Sequence, residues 1–307
     1  MSSQTDASSI IGRKVFFVGF DVSMLPEHYL EDYLAHGYET YRIADDHICD
    51  IQYKVELIAQ LYKGSIVLFY IDSPIDGTSW TAFIGQLLKR HRNDIYAGIF
   101  FSKRSVSAEQ QEIENYYVGK LNVPCGCTAL SYQRAQNFLI IDRLLAANNA
   151  NGRRKTVRAF CSSNSGATFF WGTERLKASL KDISLNHFSC IFETQPEDEM
   201  TINQKFGDVQ LLVNGSRFHA NAMLAMQRDT PQGKLHVFML IRPDGNTGLV
   251  DEDYAKLCPQ IYQMVTDPTK NKLREAYFII NKQKGDVYTV DEVVNKAVQE
   301  MKVSGLL

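Results

Sequence analysis

The chain has 307 residues, 33 of them Lys or Arg and 35 Asp or Glu, so its formal net charge is −2. At roughly 100–200 residues per domain, this length predicts two domains. The balanced charge argues against a protein that binds nucleic acid polymers in general, because such proteins carry an excess of Lys and Arg. No apolar run approaches the roughly 20 residues of a membrane helix, and residues 1–9 are polar without a signal segment. We therefore expect a cytoplasmic protein that does not insert into a membrane.

The cysteines argue against a disulfide scaffold and against a metal centre. Six cysteines in 307 residues lack the density of a secreted disulfide scaffold. Cys125 and Cys127 form the closest pair, and no second cluster of Cys or His follows them at ligand spacing. We therefore predict no metal site, no cofactor, and thiols that are reduced and mostly buried.

Strand-like and helix-like patterns alternate from Lys14 to about Ala150. Five short β-rich runs are each followed by a helical pattern, and the third run is the continuous apolar kind typical of a strand buried on both faces. The predicted strands are Lys14–Phe20, Tyr38–Ile43, Ser65–Ile71, Asp94–Phe101 and Cys127–Leu130. Five strand–helix units predict a parallel sheet covered by helices on both faces. Their order resembles the receiver and flavodoxin-like folds, so residues 1–150 are predicted to form an α/β domain.

The acidic residues after these strands do not complete a phosphoryl-receiving site. The receiver family has an acidic pair after the first strand, an Asp after the third, a hydroxyl after the fourth and a Lys after the fifth. Here Asp21 lacks an acidic neighbour, Asp72 and Ser102 end strands three and four, and no Lys follows strand five. Without the carboxylate pair for Mg²⁺ and the Lys, a transferred phosphoryl group would lack electrostatic support. We therefore expect Asp21 and Asp72 to be helix-capping loop residues, in a degenerate receiver-like domain that docks a partner.

The second half of the sequence changes period after a polar, Gly-containing boundary at Asn148–Arg153. Short β-rich runs alternate with Ser, Asn and Gly turns, and Asn214-Gly215 is a strong hairpin pattern. The predicted strands are Arg158–Ser163, Thr168–Trp171, Leu176–Leu185, Phe188–Glu193, Asp208–Val213, Arg217–Met226 and Leu235–Ile241. They predict a small antiparallel barrel over residues 151–266, completed by an amphipathic helix at Asp251–Thr266.

Two polar clusters border this barrel, one basic and one with a carboxylate and a hydroxyl. The basic cluster spans residues 153–158, and four of these six residues are Arg or Lys. Arg154 and Arg158 match the pattern RxxxR. Asp182, 24 residues after Arg158, and Ser184 match the first two fixed positions of (D/N)xSxxG. In this order the two patterns resemble those of the PilZ domain, the cyclic di-GMP receptor module, and a receiver-like domain ahead of the barrel resembles the spirochaete-type PilZ proteins.

The resemblance implies no catalytic residue and a cyclic di-GMP site formed by Arg153, Arg154, Arg158, Asp182, Ser184 and His187. Arg guanidinium groups bond bidentately to phosphate oxygens or to O6 and N7 of guanine, and they stack on bases. A carboxylate such as Asp182 accepts hydrogen bonds from the N1 and N2 donors of guanine, a pair that adenine does not offer. In the family, an Arg at the position of Arg153 accompanies binding of a stacked ligand pair.

One position departs from the family pattern, because His187 stands where the family has Gly. Gly at such a position allows a close backbone approach or an unusual φ, which a bulky side chain obstructs. The imidazole is equally able to stack on a base or to bond it. Two hypotheses therefore stay open. In the first, the protein is a cyclic di-GMP receptor that couples ligand binding at the interdomain junction to an unidentified protein partner; in the second, it is a PilZ-like adaptor without ligand binding.

The C-terminal residues 267–307 are predicted to form a partly helical extension. The stretch from Thr289 to Glu292 matches a capping box and is followed by apolar residues at helical spacing. Tyr277–Ile280 is compatible with a strand or a helix, and we expect the extension to pack on the barrel or on the first domain. The predicted fold class is therefore α/β plus β: a receiver-like parallel sheet, then a PilZ-like barrel with a following helix and a C-terminal extension.

Overall fold

The computed structural model describes residues 12–46, 48–102, 107–152, 154–194, 199–283 and 289–307. The chain forms two compact units. The first contains Met1–Lys155 and Pro268–Leu307, and the second contains Thr156–Asp267. The first unit has a parallel sheet with helices and the second has an antiparallel barrel, so the predicted fold class is confirmed.

Five parallel strands form the sheet of the first unit: β1 (Lys14–Val18), β2 (Glu39–Ile43), β3 (Ser65–Tyr70), β4 (Ile95–Phe101) and β5 (Cys127–Ala129). They lie in the order β2-β1-β3-β4-β5, which is typical of flavodoxin-like folds. Every residue of β3 is buried, as expected for a strand covered on both faces.

A helix follows each strand: α1 (Tyr29–Ala35), α2 (Ile51–Leu61), α3 (Trp80–His91), α4 (Ser107–Glu114) and α5 (Arg134–Ala147). A π-helix at Asn115–Lys120 continues α4 directly, so this helical segment changes geometry half-way. Two apolar cores lie on the two faces of the sheet, and alternate residues of β1 supply them. Phe16 lies in the core with α2 and α3, whereas Phe17 lies in the core with α1 and α5.

The long helix α6 (Asp251–Gln283) begins in the second unit and ends in the first. The apolar spacing predicts a helix over Asp251–Thr266, and Pro268, just beyond it, cannot donate a helical hydrogen bond. The helix continues because its later turns bury four side chains in the core of the first unit, namely Leu273, Ala276, Tyr277 and Ile280. At roughly 1.5–3 kcal/mol for each large apolar side chain, this burial exceeds the roughly 3 kcal/mol that an interior proline costs.

The last helix, α7 (Val290–Val303), begins with the predicted capping box. Glu292 accepts the backbone N–H of Thr289 at 2.8 Å. The apolar face of α7 is buried in the same core as α2 and consists of Val293, Val294, Ala297, Val298 and Met301. The C-terminal residues from Pro268 therefore belong to the first unit.

Membrane crossing needs a helix that is both long and apolar. Within the described part of the chain, no helix meets both conditions. The 33-residue α6 is long enough but carries charged side chains along its length.

Seven antiparallel strands form the second unit: β6 (Ala159–Phe160), β7 (Gly166–Trp171), β8 (Glu174–Ile183), β9 (His187–Phe192), β10 (Lys205–Val213), β11 (Ser216–Thr230) and β12 (Gly233–Ile241). Six of them close into a barrel in the order β8-β7-β10-β11-β12-β9, since β9 pairs again with β8. The short β6 adds to β8 as an extra strand. Buried phenylalanines fill the barrel, with the ring centroids of Phe169 and Phe238 4.9 Å apart.

Two local predictions in the barrel have different outcomes. Asn214 and Gly215 have φ values of 47° and 87°, so they form the predicted two-residue hairpin between β10 and β11. The strand predicted at Arg158–Ser163 is only two residues long. It ends early because the chain turns, with the N–H of Ser165 bonded to the carbonyl oxygen of Ser162 at 3.0 Å.

Candidate ligand-binding site

Strand β6 brings the two sequence motifs into contact. It pairs with β8 so that Phe160 lies opposite Asp182. Arg158 comes directly before β6, and its Nη1 lies 3.4 Å from Oδ1 of Asp182. The side chains of Arg158 and Asp182 are 31% and 19% exposed, so the pair is partly open to solvent. A guanidinium has five N–H donors and this contact uses one, so Arg158 keeps donors for a further anion.

Ser184 shapes the tight turn that joins β8 to β9. Its hydroxyl donates to the carbonyl oxygen of His187 (3.1 Å) and accepts the backbone N–H groups of His187 (3.1 Å) and Asn186 (3.4 Å). The backbone N–H of Ser184 also donates to the carbonyl oxygen of His187 at 2.7 Å. The Ser184 side chain is fully buried. Its hydroxyl is therefore engaged by the turn, and a direct contact of Ser184 with a ligand stays a prediction.

His187, the first residue of β9, lies half-buried within electrostatic reach of Arg158 and Asp182. Burial lowers the pKa of His187, the charge of Arg158 lowers it further, and the charge of Asp182 opposes both. The imidazole is therefore neutral at neutral pH, with one ring nitrogen as donor and the other as acceptor. His187 is not among the described non-Gly residues with positive φ, so its backbone conformation does not require Gly.

The other basic residues of the first motif lie before the barrel. Arg154 is exposed and comes four residues before Arg158, near the end of the first segment of the first unit. Arg153 lies outside the described residues. The structure thus brings together the four predicted site residues of the second unit, whereas the roles of Arg153 and Arg154 stay predictions.

Phe160 lies in this site although neither motif contains it. Its side chain is 87% exposed, directly opposite Asp182 on the β6–β8 ladder. The signal in the sequence is the two-residue alternation of a strand, which puts Phe160 on the same face as Arg158 and turns Ala159 to the core. Patterns of charged residues do not include Phe160, and a Phe in a strand is usually expected to be buried.

In the first unit, Asp21 and Asp72 both accept hydrogen bonds from backbone N–H groups. Asp21 caps a single 3-10 turn by accepting the backbone N–H of Ser23 at 2.8 Å, so its predicted capping role is confirmed. The predicted capping role of Asp72 is wrong, because the N-cap of the following helix is Ser79. Oδ2 of Asp72 instead accepts the backbone N–H of Ser102 (2.5 Å) and its hydroxyl (3.0 Å). Asp72 thereby ties the end of β3 to the end of β4.

A cavity of about 750 Å³ opens in the first unit at the carboxyl end of β3. Its described lining residues include the carboxylates Asp72, Glu109 and Glu112 and no basic side chain. These carboxylates would repel a phosphate group. The cavity is therefore unsuited to an anionic ligand despite its size.

The cysteines are free thiols, and Cys125 and Cys127 are the closest pair in sequence. Within the described residues, no three His, Cys, Asp or Glu side chains are grouped to hold a metal ion. Burial raises the pKa of Cys125 and of Cys127 to about 12. Both thiols are therefore protonated at neutral pH, a form that is a poor nucleophile and a poor metal ligand.

Comparisons with known proteins find similar structures, but no family model and no curated protein matches the sequence. The chain is similar to the PilZ domain of YcgR from Escherichia coli with c-di-GMP, at 14% identity and a TM-score of 0.31 over 38% of this chain and 98% of that one. It is similar to the Bacillus subtilis inhibitor of motility MotI/DgrA, at 10% identity and a TM-score of 0.30 over 39% of this chain and 53% of that one. It is also similar to MrkH from K. pneumonia, described as a c-di-GMP-dependent transcription regulatory factor, at 12% identity and a TM-score of 0.28 over 39% of this chain and 52% of that one.

The YcgR structure is a PilZ domain, the family whose motifs this sequence resembles, and the matches do not confirm the receiver-like interpretation of the N-terminal residues. The match spans about half the length of MotI/DgrA and of MrkH. At these TM-scores the likenesses do not assign a ligand or a partner to this chain. The exclusion of nucleic acid polymers likewise stays an expectation from net charge.

Proposed function

We propose that the barrel is a non-catalytic receptor for cyclic di-GMP of the PilZ type. The observation that carries this proposal is the 3.4 Å contact between Arg158 and Asp182. Arg158 is the last residue of the RxxxR pattern, which suits phosphate or guanine. Asp182 is the first residue of the (D/N)xSxxG pattern, which suits the donor edge of guanine. The ligand has two phosphates and two guanines, so a guanidinium and a carboxylate side by side offer bonds to both kinds of group.

The predicted residues have distinct roles in this proposal. Arg158 and the two arginines before it act as forks that bond phosphate oxygens or O6 and N7 of guanine. Asp182 accepts hydrogen bonds from N1 and N2 of one guanine. Ser184 positions Asp182 indirectly, because its hydroxyl bonds the backbone at the other end of the turn.

His187 is proposed to contact the ligand in place of the family Gly. A neutral imidazole both donates and accepts hydrogen bonds, and it stacks on purines. His187 does not have a positive φ, so its side chain causes no left-handed backbone strain in the turn. We therefore infer that binding is retained, and that the alternative of a PilZ-like adaptor without a ligand is the less favoured one.

Ligand binding is proposed to act on a protein partner that docks on the receiver-like first unit. The basic residues 153–158 are also the connection in sequence between the two compact units. A ligand held by Arg154 and Arg158 would restrict this segment and lower its conformational entropy. For partner binding to respond, the ligand must bind one state of the protein more tightly than another.

Calorimetric titration of the purified full chain with cyclic di-GMP tests the proposal. We expect binding by the wild type and a loss of about tenfold or more in Arg154→Ala and in Asp182→Ala, the effect of one charge-assisted hydrogen bond. Cyclic di-AMP is the matched control ligand, since it keeps the two phosphates but lacks the paired donors of guanine. Absence of binding by the wild type, or undiminished binding by both variants, would overturn the proposal.

A further inference from the structure

Phe160 is the most exposed Phe, Tyr or Trp side chain among the described residues, at 87%. Its neighbour Ala159 is 1% exposed and faces the barrel interior, so β6 has an inner and an outer face. A large aromatic ring on the outer face contributes little to folding, because it gains stability only when its surface leaves water. The ring is therefore accessible to a molecule that binds on this face.

The strand register places Phe160 within the candidate site. Phe160 pairs directly with Asp182 in the antiparallel β6–β8 ladder. Directly opposed residues of an antiparallel pair share a face, with Cβ atoms about 4.5–5.5 Å apart. Arg158, two residues earlier, reaches the same carboxylate at 3.4 Å. An aromatic ring, a carboxylate and a guanidinium therefore lie together on one outer surface.

We propose that Phe160 is a stacking surface for one guanine of the ligand while Asp182 bonds the N1–H and N2–H edge of the same base. This inference rests on the proposed function, because it names a further contact of the same site. A base stacks on an aromatic face whatever its identity, so the Phe160 ring supplies affinity without selecting the base. The carboxylate of Asp182 accepts only from a base with paired donors, so it selects guanine.

The Phe160 ring and the Asp182 carboxylate can contact the same guanine, because they would bind different parts of it. A guanine donates to a carboxylate within the plane of its ring, whereas it stacks through the face above or below that plane. Two side chains that stand side by side on one face of a sheet can therefore serve the edge and the face of one base. Arg158 stays available for the adjacent phosphate, through the donors that Asp182 does not use.

Substitutions at Phe160 test the inference, with affinity for cyclic di-GMP measured by calorimetry on the full chain. Phe160→Ala should raise the Kd by about 10- to 100-fold, the range of one base stacked on an aromatic side chain. Phe160→Leu keeps an apolar side chain without a π face and should lose most of the same affinity. Phe170→Ala is the matched control, because Phe170 is another outward Phe of the barrel, on β7, and is 49% exposed.

Phe160→Trp gives a second measurement that does not depend on loss of binding. It should retain affinity, and its indole emission should be quenched on titration with cyclic di-GMP because a stacked guanine quenches Trp. The wild type contains Trp80 and Trp171, so its own titration provides the baseline. Absence of any added quenching at saturating ligand would overturn the inference.

The results distinguish this inference from the proposed function. If the wild type binds cyclic di-GMP and Phe160→Ala binds it equally well, Phe160 is not a ligand contact and the proposed function stands. If the wild type does not bind, both fail. If Phe160→Ala leaves the affinity unchanged and instead alters the sedimentation coefficient, Phe160 covers a second copy of the chain, which also overturns the inference.

Discussion

Nε2 of His91 lies 2.6 Å from Oε1 of Glu56, a carboxylate that is fully buried in the first unit. Arg90 bonds the other oxygen of Glu56 at 2.8 Å, and Asp94 lies 3.3 Å from Nδ1 of His91. The hydrogen bond to Glu56 raises the pKa of His91, although burial opposes this shift. The charged imidazole thus stabilises a buried carboxylate that would be costly without a partner.

We expect the stability of the first unit to fall as the pH rises. The folded-state pKa of His91 lies above the unfolded value of about 6.5, so its contribution is complete below that pH and is lost as the pH rises through the folded-state pKa. Urea unfolding followed by Trp80 fluorescence, in a Trp171→Phe background, measures this free energy. His91→Gln should remove the dependence.

The control for this effect is His36→Gln, which deletes an exposed imidazole paired with Asp142 in the same unit. Exposed pairs contribute little to stability, so the pH dependence should persist in this variant. A free energy of unfolding that depends on pH equally in His91→Gln and in the wild type would contradict the assignment.

Asp182→Asn is expected to separate ligand binding from stability. Partly exposed pairs such as Arg158–Asp182 contribute roughly 0–1 kcal/mol to the free energy of unfolding. The affinity for cyclic di-GMP should nevertheless fall about tenfold or more, because the amide replaces an acceptor with a donor that opposes the guanine edge. Asp251→Asn is the control, since it removes a 3.1 Å contact with Arg242 in the same unit and should alter neither quantity. Equal losses of affinity in the two variants would refute the role of Asp182.

Ser184 and Ser189 are both fully buried but differ in their hydrogen bonds. The hydroxyl of Ser184 bonds three backbone groups, whereas that of Ser189 has no partner among the described residues. Ser184→Ala should lower the free energy of unfolding by roughly 1–2 kcal/mol and weaken ligand binding, because it loosens the turn between Asp182 and His187. Ser189→Ala should change the stability by less than about 0.5 kcal/mol. Urea unfolding followed by Trp171 fluorescence checks both, and equal effects would show that the turn does not depend on Ser184.

The affinity for cyclic di-GMP should increase as the pH falls. Burial and Arg158 hold the pKa of His187 below its ordinary value in the free protein, and the ligand phosphates would raise it, so binding is coupled to proton uptake. Titrations between roughly pH 8 and pH 6 should show a decreasing Kd for the wild type and a constant Kd for His187→Gly. Binding that is present only in His187→Gly would instead identify an adaptor whose imidazole blocks the site.

Local sequence patterns predicted the features that depend on neighbouring residues. Apolar period and run length predicted the parallel strands and the barrel strands. Asn214-Gly215 predicted a hairpin because these residue types tolerate positive φ, and the Thr289–Glu292 spacing predicted the start of α7. Backbone sterics and short-range hydrogen bonds decide each of these, so a few consecutive residues suffice. The two site motifs were also visible, because they are short and lie in a characteristic order.

Features that join distant residues became clear only from the folded chain. α6 passes through Pro268 because Tyr277 and its neighbours are buried in the core of the first unit. Phe160 is exposed in the candidate site because β6 pairs with the end of β8, and Ser184 is buried because its hydroxyl closes a turn. Such contacts depend on chain closure over many residues and on dense packing around each side chain, which no local pattern contains.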